Sequence, residues 1–467
     1  MPQVTLLKAD AAPQIMADTL ASDTLAQRQR SSAMVGRALA MLPDDPALVL
    51  DFARGGYARG GRGGINTIGA LDELVTFTRS GTGTYWATDG LLRTAAVNAP
   101  RFSFDRLTGR AQGLLVEGAG TNILLHSTNL TNAPWTGLGD FTVTPATSVI
   151  EGQTAYRFAN LGVFGFRAVT QVSGTLTGSP ETVSVIVEKG TSETSVIGLR
   201  NLTASTWVYA VRVDFATLGV TLFGGAGQHR VTDLGVGPNG GRLLRVSLTG
   251  TGTADGSRAV SIYPSDTSVN TDASIIHHTQ LEAGVGETSP IITTTAAVTR
   301  PTDSAILSGD PAALGFGDDY TLLAIGRPPR SSSTDGIASM MAVSSAGVNN
   351  ERLLIAVRDF PPLEGDYRTY FQSFVGTPSA GASTESTPLV PASGQIKLAL
   401  AGDAQATSGA FGGQIVWTNI GGARTHPVNR IDIGAFVSGN CKWGGTIEQL
   451  VIWPRRLTNT QLQEITA

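Results

Sequence analysis

From about residue 122 to residue 300, apolar and polar residues alternate in short runs that end at glycine, proline, asparagine or aspartate. Val183, Val185 and Val187 share one face of such a run, and Val211, Val213 and Phe215 alternate with Arg212 and Asp214 in another. A period of two marks a strand with one buried face, and turn residues about every eight to twelve positions mark a β-sandwich or jelly roll. By the same parity Trp207 and Tyr209 belong with Val211 on the apolar face, and Trp453 lies in an apolar run, so all three are expected in the core. Residues 301–467 repeat the pattern in YTLLAIGRP, ERLLIAVRDF, YRTYFQSFV, GQIKLALAGD and GTIEQLVIWPRRL. Near the N-terminus the period changes. Ala, Gln, Leu, Met and Arg dominate from Pro13 to Leu42, with apolar residues such as Leu20, Leu25, Leu39 and Leu42 at patchy helical spacing.

The expected fold is therefore mainly β: two consecutive antiparallel β-sandwich (jelly-roll) domains preceded by an N-terminal helical segment. Residues 1–48 form the helical anchor or oligomerisation segment, and 49–122 a linker with a β-rich entry motif. The jelly rolls occupy 123–300 and 301–467.

Composition narrows the class. The chain has 467 residues, more than one core usually serves, with 57 Gly, 41% hydrophobic and 15% charged residues. A net charge of -4 provides no electrostatic footprint for a phosphate backbone, so no nucleic-acid partner is expected. The run RGGYARGGRGG from Arg54 to Gly64 is read as a tight or mobile loop. Cys441 is the only cysteine, which excludes an intrachain disulfide and multi-cysteine metal sites. The first twenty residues lack the basic start and apolar run of a signal peptide, and no apolar window is long enough to span a bilayer. Neither export by a signal peptide nor membrane insertion is expected.

Most chemical signals fail their context. Gly235-x-Gly237-x-x-Gly240 has dinucleotide-loop spacing, but RLLRVSL after it is a strand, so the loop reads as a hairpin turn. His277 and His278 are adjacent on a strand, point to opposite faces and cannot chelate one metal together. Asp359, Glu364 and Asp366 bracket a proline-containing loop and read as solvated. No catalytic residue is assigned and no metal site is located. Trp417, Trp443 and Tyr370 are the candidate carbohydrate-binding residues, because a ring on a loop or exposed strand face can stack on a pyranose.

Three stretches resemble known families. Thr76, Phe77 and Arg79, then Thr84, Tyr85, Asp89 and Gly90, then Asn98, Pro100, Arg101 and Phe102 open a motif. It continues with Thr108 and Gly109, Gly113 to Glu117, and Thr121 to Ser127. This order resembles a segment of bacteriophage tail and spike proteins. Gln280 to Gly284, Thr288, Ser289, Ile291, Thr293 and Ala297 to Arg300 look like the closing strand of the carbohydrate-binding-module-like jelly rolls that follow that motif. Gly241 to Val246 takes the place of their Gly-Trp-Tyr-Arg strand, with leucines in place of the aromatic pair. Gly445 to Thr458 is similar to the last strand and helix of laminin-G-like, concanavalin-type jelly rolls, with Thr458 as the helix N-cap.

The resemblance implies a structural tail fibre or head spike of a phage or gene transfer agent. It would be made in the bacterial cytoplasm and carried on the virion. Such a protein attaches the particle to host-surface polysaccharide without catalysis, as a homo-oligomer joined to other virion proteins through its N-terminal segment. The alternative is a capsule or exopolysaccharide depolymerase on the same particle; a bacterial surface lectin is disfavoured by the missing export signal. Concanavalin-type hydrolases carry an E-x-D-x-E triplet, which is missing here. Concanavalin-like domains commonly bind calcium, for which Asp318 with Asp319, or Asp403, would serve; no other cofactor is implied.

Overall fold

A computed structural model describes residues 45–61, 64–161, 167–265, 271–327, 336–345, 352–359, 367–374, 384–385, 394–420, 426–436 and 441–467, with a few positions between 33 and 43. The chain is mainly β, in antiparallel sheets that pack as two sandwiches.

The central sandwich pairs a six-stranded with a five-stranded sheet. In spatial order the first runs Phe141–Thr147, Thr154–Asn160, Ala273–Ala283, Pro180–Lys189, Arg242–Thr251 and Gln228–Val236. The second runs Val169–Thr175, Ser257–Tyr263, Thr194–Asn201, Thr206–Asp214 and Val220–Gly225. Their alternating apolar residues, among them Val183, Val185, Ile197, Val211, Val246 and Ile262, meet in one core.

The second sandwich is built from both ends of the chain. Its ten-stranded sheet places Leu48–Asp51 beside Gly445–Trp453, which pairs in turn with Tyr320–Gly326 and Ala111–Val116. Val75–Thr78 is the edge strand of the facing seven-stranded sheet, paired with Ser304–Leu307. The stretch 49–122, expected as a linker and an entry into the central jelly roll, therefore supplies strands to both sheets of the second sandwich. The two sandwiches are nested, and the central one is an insertion. Local pattern marks strands but not their partners, and here the partners lie hundreds of residues away. The insertion's base is closed where Gly120–Asn122 pairs with Val298–Arg300.

The helix Asn459–Thr466 covers the outer face of the ten-stranded sheet through Leu462, beside Val451 and Trp453. Thr458 caps it as expected, with its Oγ1 accepting from Gln461 N at 3.2 Å and the Gln461 side chain reaching back. The expected N-terminal helix lies outside the described residues except at its end, where Leu39 and Leu42 pack against this same cluster. Trp453 Nε1 donates to Pro43 O at 3.0 Å. Among the described residues no helix is long and apolar enough to cross a membrane.

Candidate functional site

The residues of the Phe77–Ser127 motif converge at the junction of the two sandwiches. Arg101 is wholly buried, and its guanidinium contacts Asp303, Glu117 Oε2 at 2.8 Å, Ser289 Oγ at 2.8 Å and Thr84 O at 3.0 Å. Arg79, also buried, reaches Asp303 Oδ1 at 3.2 Å and the carbonyls of Gly81 and Ala96. Glu117 accepts from Ser289 N and Oγ, both at 2.7 Å, and Arg300 lies 3.7 Å away. Asp303 Oδ2 accepts from Glu117 N at 2.9 Å. Burial pushes the Glu117 carboxyl upward, but Arg300, Arg101 and the Ser289 donors outweigh it and hold the pKa down to about 2.

Every charge in this cluster has an opposite partner, as buried ions require. Asn122, another motif residue, donates to Thr279 O and Ile291 O and accepts from Leu124 N and Leu281 N. The motif is thus a polar clamp: Asn122 and Ser289 belong to the insertion's stem, while Arg79, Arg101, Glu117 and Asp303 belong to the second sandwich.

Beside this clamp the sandwiches leave an interdomain cleft of 630 Å³, within the size range of small-molecule sites. One wall is the edge strand Gln228–Val236, which contributes Arg230 and Thr232; the facing wall carries Asp105, Gln112 and Arg327. Tyr85 and Trp86, on the hairpin of Gly83–Trp86 and Leu92–Ala95, line the cleft as half-buried rings. Trp86 is braced from below by Leu92, Ile150, Ile186 and Leu243. Neither the Tyr85 hydroxyl nor the Trp86 indole N–H has a hydrogen-bond partner among the described residues.

The charged groups around the cleft are largely paired. Asp105 accepts from Thr108 N at 2.9 Å and Gln112 Nε2 at 3.2 Å. Asp233 is bound by Arg242 at 2.6 Å, which lowers its pKa. Arg327 Nε lies 3.3 Å from Glu448 and Arg230 lies 3.9 Å from Glu287. His229 shares a hydrogen bond of 2.7 Å with Tyr209, and burial lowers its pKa. The cleft therefore offers rings and hydroxyl-compatible polar groups.

The three candidate rings lie elsewhere. Trp443 is completely buried and donates its indole N–H to Thr446 O at 3.0 Å. Trp417 is 4% exposed and stacks on Phe371 at 6.2 Å between centroids, and Tyr370 is 5% exposed beside Leu354 and Ala356. A ring enclosed on both faces cannot stack on a sugar, so all three are corrected to core residues.

Trp207 is the opposite case. The ladder between Thr194–Asn201 and Thr206–Asp214 shifts register, so that Leu199 faces Tyr209 while Arg200 faces Trp207. The extra residue at Val208 breaks the parity: Tyr209 stays in the core and Trp207 turns to the outer face. The cleft rings were missed because Tyr85 was absorbed into a structural motif. The free polar tip of each depends on a hairpin docking that the sequence does not announce.

The remaining signals resolve plainly. The glycine loop at 235–240 is a turn, and its amides at Asn239 and Gly241 donate to the Glu188 carboxylate at 2.9 Å rather than to a phosphate site. His277 pairs with Glu188 at 3.1 Å while His278 bonds Ile291 O at 3.1 Å, so the two rings serve different partners. Asp403 accepts from Gln405 N and Ala406 N and pairs with Arg456 at 3.1 Å. Glu364 and Asp366 lie outside the described residues, as does the side chain of Asp359.

Fold and site together define a nested double β-sandwich with a cleft at its junction. No protein-family model and no curated protein sequence matches the chain. Solved structures similar to parts of it include the carbohydrate-binding module of family 40 from the Ruminococcus gnavus IT-sialidase, bound to α2,3-sialyllactose. That likeness has 15% identity and a TM-score of 0.28 and covers 33% of this chain and 86% of that one. Domain 4 of the arabinanase AbnA from Geobacillus stearothermophilus, with arabinotriose, gives 15% identity, TM-score 0.27 and coverage of 39% and 82%. The LG1-3 region of the laminin α2 chain gives 13%, 0.22, and coverage of 62% and 65%. Overlaps of this size do not carry a function across.

Proposed function

We propose that this chain is a glycan-binding structural protein that attaches a phage or phage-like particle to host-surface polysaccharide without cleaving it. The observation that carries the reading is the interdomain cleft, where the Tyr85 hydroxyl and the Trp86 indole N–H are free beside Asp105, Gln112 and Thr232. Sugars present alternating apolar C–H faces and hydroxyl edges, which rings with polar tips and neutral or paired side chains complement. The phage-spike resemblance of the Phe77–Ser127 motif supports the virion setting. In that setting the segment before Leu48 joins the particle, and several subunits raise weak single-site affinity by avidity.

The test is binding of the full-length protein to polysaccharide purified from candidate hosts, followed by gel filtration of that polysaccharide. Binding that weakens about ten-fold in Tyr85→Ala or Trp86→Ala, with the polymer length unchanged, is the expected result. Shortening of the polymer would instead identify a depolymerase, and unweakened binding in both variants would remove the cleft from the reading.

A further inference from the structure

The register shift that turns Trp207 outward builds a second surface, on the outer face of the five-stranded sheet; none of its rings is among the residues lining the cleft. Trp207 packs over two glycines in the flanking strands: a Cβ on Gly198 would meet its Cζ3 at 2.4 Å, and one on Gly224 its Cδ1 at 2.5 Å. Any side chain at either position would lift the ring off the sheet. Phe223 meets Trp207 edge-on at 5.8 Å, and Tyr263 closes a triangle at 6.1 Å from Trp207 and 5.9 Å from Phe223. Rings gathered on the solvent side of a sheet are not needed for the core, which Tyr209, Val211 and Ile262 fill from the other face.

The charged side chains set against these rings are arginines. Arg200, directly across from Trp207, stacks its guanidinium 4.8 Å from the ring centroid, and Arg212 lies 5.8 Å from the Phe223 centroid. Arg200 is half-exposed and has neither an ion pair nor a hydrogen bond among the described residues; its Nε is buried without a partner. The five strands contain a single carboxylate, Asp214 at a strand end, which is occupied by Ala216 N, Thr217 N and Thr217 Oγ1 at 2.8 to 3.0 Å. Arg258, the remaining cation of these strands, is buried against Glu181. Stacking on Trp207 fixes the plane of the Arg200 guanidinium, and a fixed fork of donors matches a carboxylate in two parallel hydrogen bonds.

We propose that this face binds a carboxylated sugar, with Arg200 gripping the carboxylate and the half-exposed rings of Trp207 and Phe223, backed by the buried Tyr263, meeting the sugar's apolar part. The inference rests on the glycan-binding reading but names a second site and an acidic sugar class. One forked cation and a neighbour fit a single anionic group rather than a phosphate backbone, which needs many cations and a positive protein.

The experiment is calorimetric titration of the full-length protein with a panel of acidic oligosaccharides containing uronate, nonulosonate and pyruvylated sugars. Each is compared with its carboxyl-reduced counterpart and with a sulfated glucan. Expected is binding of at least one acidic member, weakened about ten-fold by carboxyl reduction and by Arg200→Gln, and partly restored in Arg200→Lys. Circular dichroism confirms that these half-exposed variants stay folded. Equal affinity for acidic and reduced forms, or an Arg200→Gln protein that binds like the wild type, overturns the proposal. Equally strong binding of sulfated glucan overturns the carboxylate assignment. If Tyr85→Ala abolishes acidic binding while Arg200→Gln does not, the cleft is the only site and the glycan reading stands without this one. If no glycan of any charge binds, both readings fall.

Discussion

Replacing Glu117 with Gln keeps the shape of the side chain but removes the charge that faces Arg101 and Arg300 at the junction. The carboxyl is held at about 2 against an ordinary value of 4.5, so its ionised form is favoured in the folded protein by roughly 2.5 pKa units, or about 3 kcal/mol. That agrees with the general loss of about 3 to 5 kcal/mol when one partner of a buried pair is removed. Because folding lowers this pKa, the stabilisation is complete above about pH 4.5 and fades as the pH falls toward 2. Urea denaturation at neutral pH should therefore show Glu117→Gln less stable by about 3 kcal/mol, with the gap closing across that acid window. A gap below about 1 kcal/mol, or one that does not change with pH, would refute the clamp's energetics.

Other outcomes follow from the same structure. His278 is held neutral by burial, with its pKa lowered to about 3, so its share of stability is present above about pH 6.5 and is lost as the pH falls through 3; His278→Gln should flatten the stability profile between pH 6.5 and 4.5, measured by denaturation at each pH. Trp443→Ala should destabilise the second sandwich by about 3 to 5 kcal/mol while the folded fraction binds polysaccharide as the wild type does, read by thermal melts beside pull-down. Gly198→Ala should displace Trp207 and destabilise by about 1 to 3 kcal/mol, with a shift in tryptophan emission as the ring leaves the sheet. Deletion of residues 1–48 should lower the melting temperature, because Leu48 and the Pro43 carbonyl bound by Trp453 go with them.

The sequence carries the strand pattern well because alternation is a local consequence of one buried face. Thr458 as an N-cap, and Val183, Val185 and Val187 as core, were legible for that reason. Partner choice was not: nothing local to LVLD at 48–51 says that it lies beside Gly445–Trp453. Trp207 shows how one inserted residue defeats a period of two, since Val208 shifts the register and moves the ring to the other face. Trp417, Trp443 and Tyr370 failed as site residues because ring identity says nothing about enclosure. Trp443 sits at a loop position in sequence yet points into the core between the sheets. Charges in the Phe77–Ser127 motif could be seen, but their mutual pairing with Asp303 and Ser289, some 200 residues away, could not.

The insertion leaves and re-enters its host sandwich through two adjacent strands, so its ends are neighbours in space. A polypeptide attached in this way behaves as an exchangeable cartridge: the base keeps its fold while the cartridge changes its surface. The clamp sets where such an exchange can be cut. Ser289 and the Pro290 carbonyl, bound by Arg101 and Thr84, belong to the base's lock although they follow the last long strand of the insertion. A lineage that trades one central sandwich for another can exchange residues between 127 and 280 and keep the lock, whereas a graft ending at 300 would replace it. The surface that the insertion presents can thus change by recombination without the junction having to be evolved again.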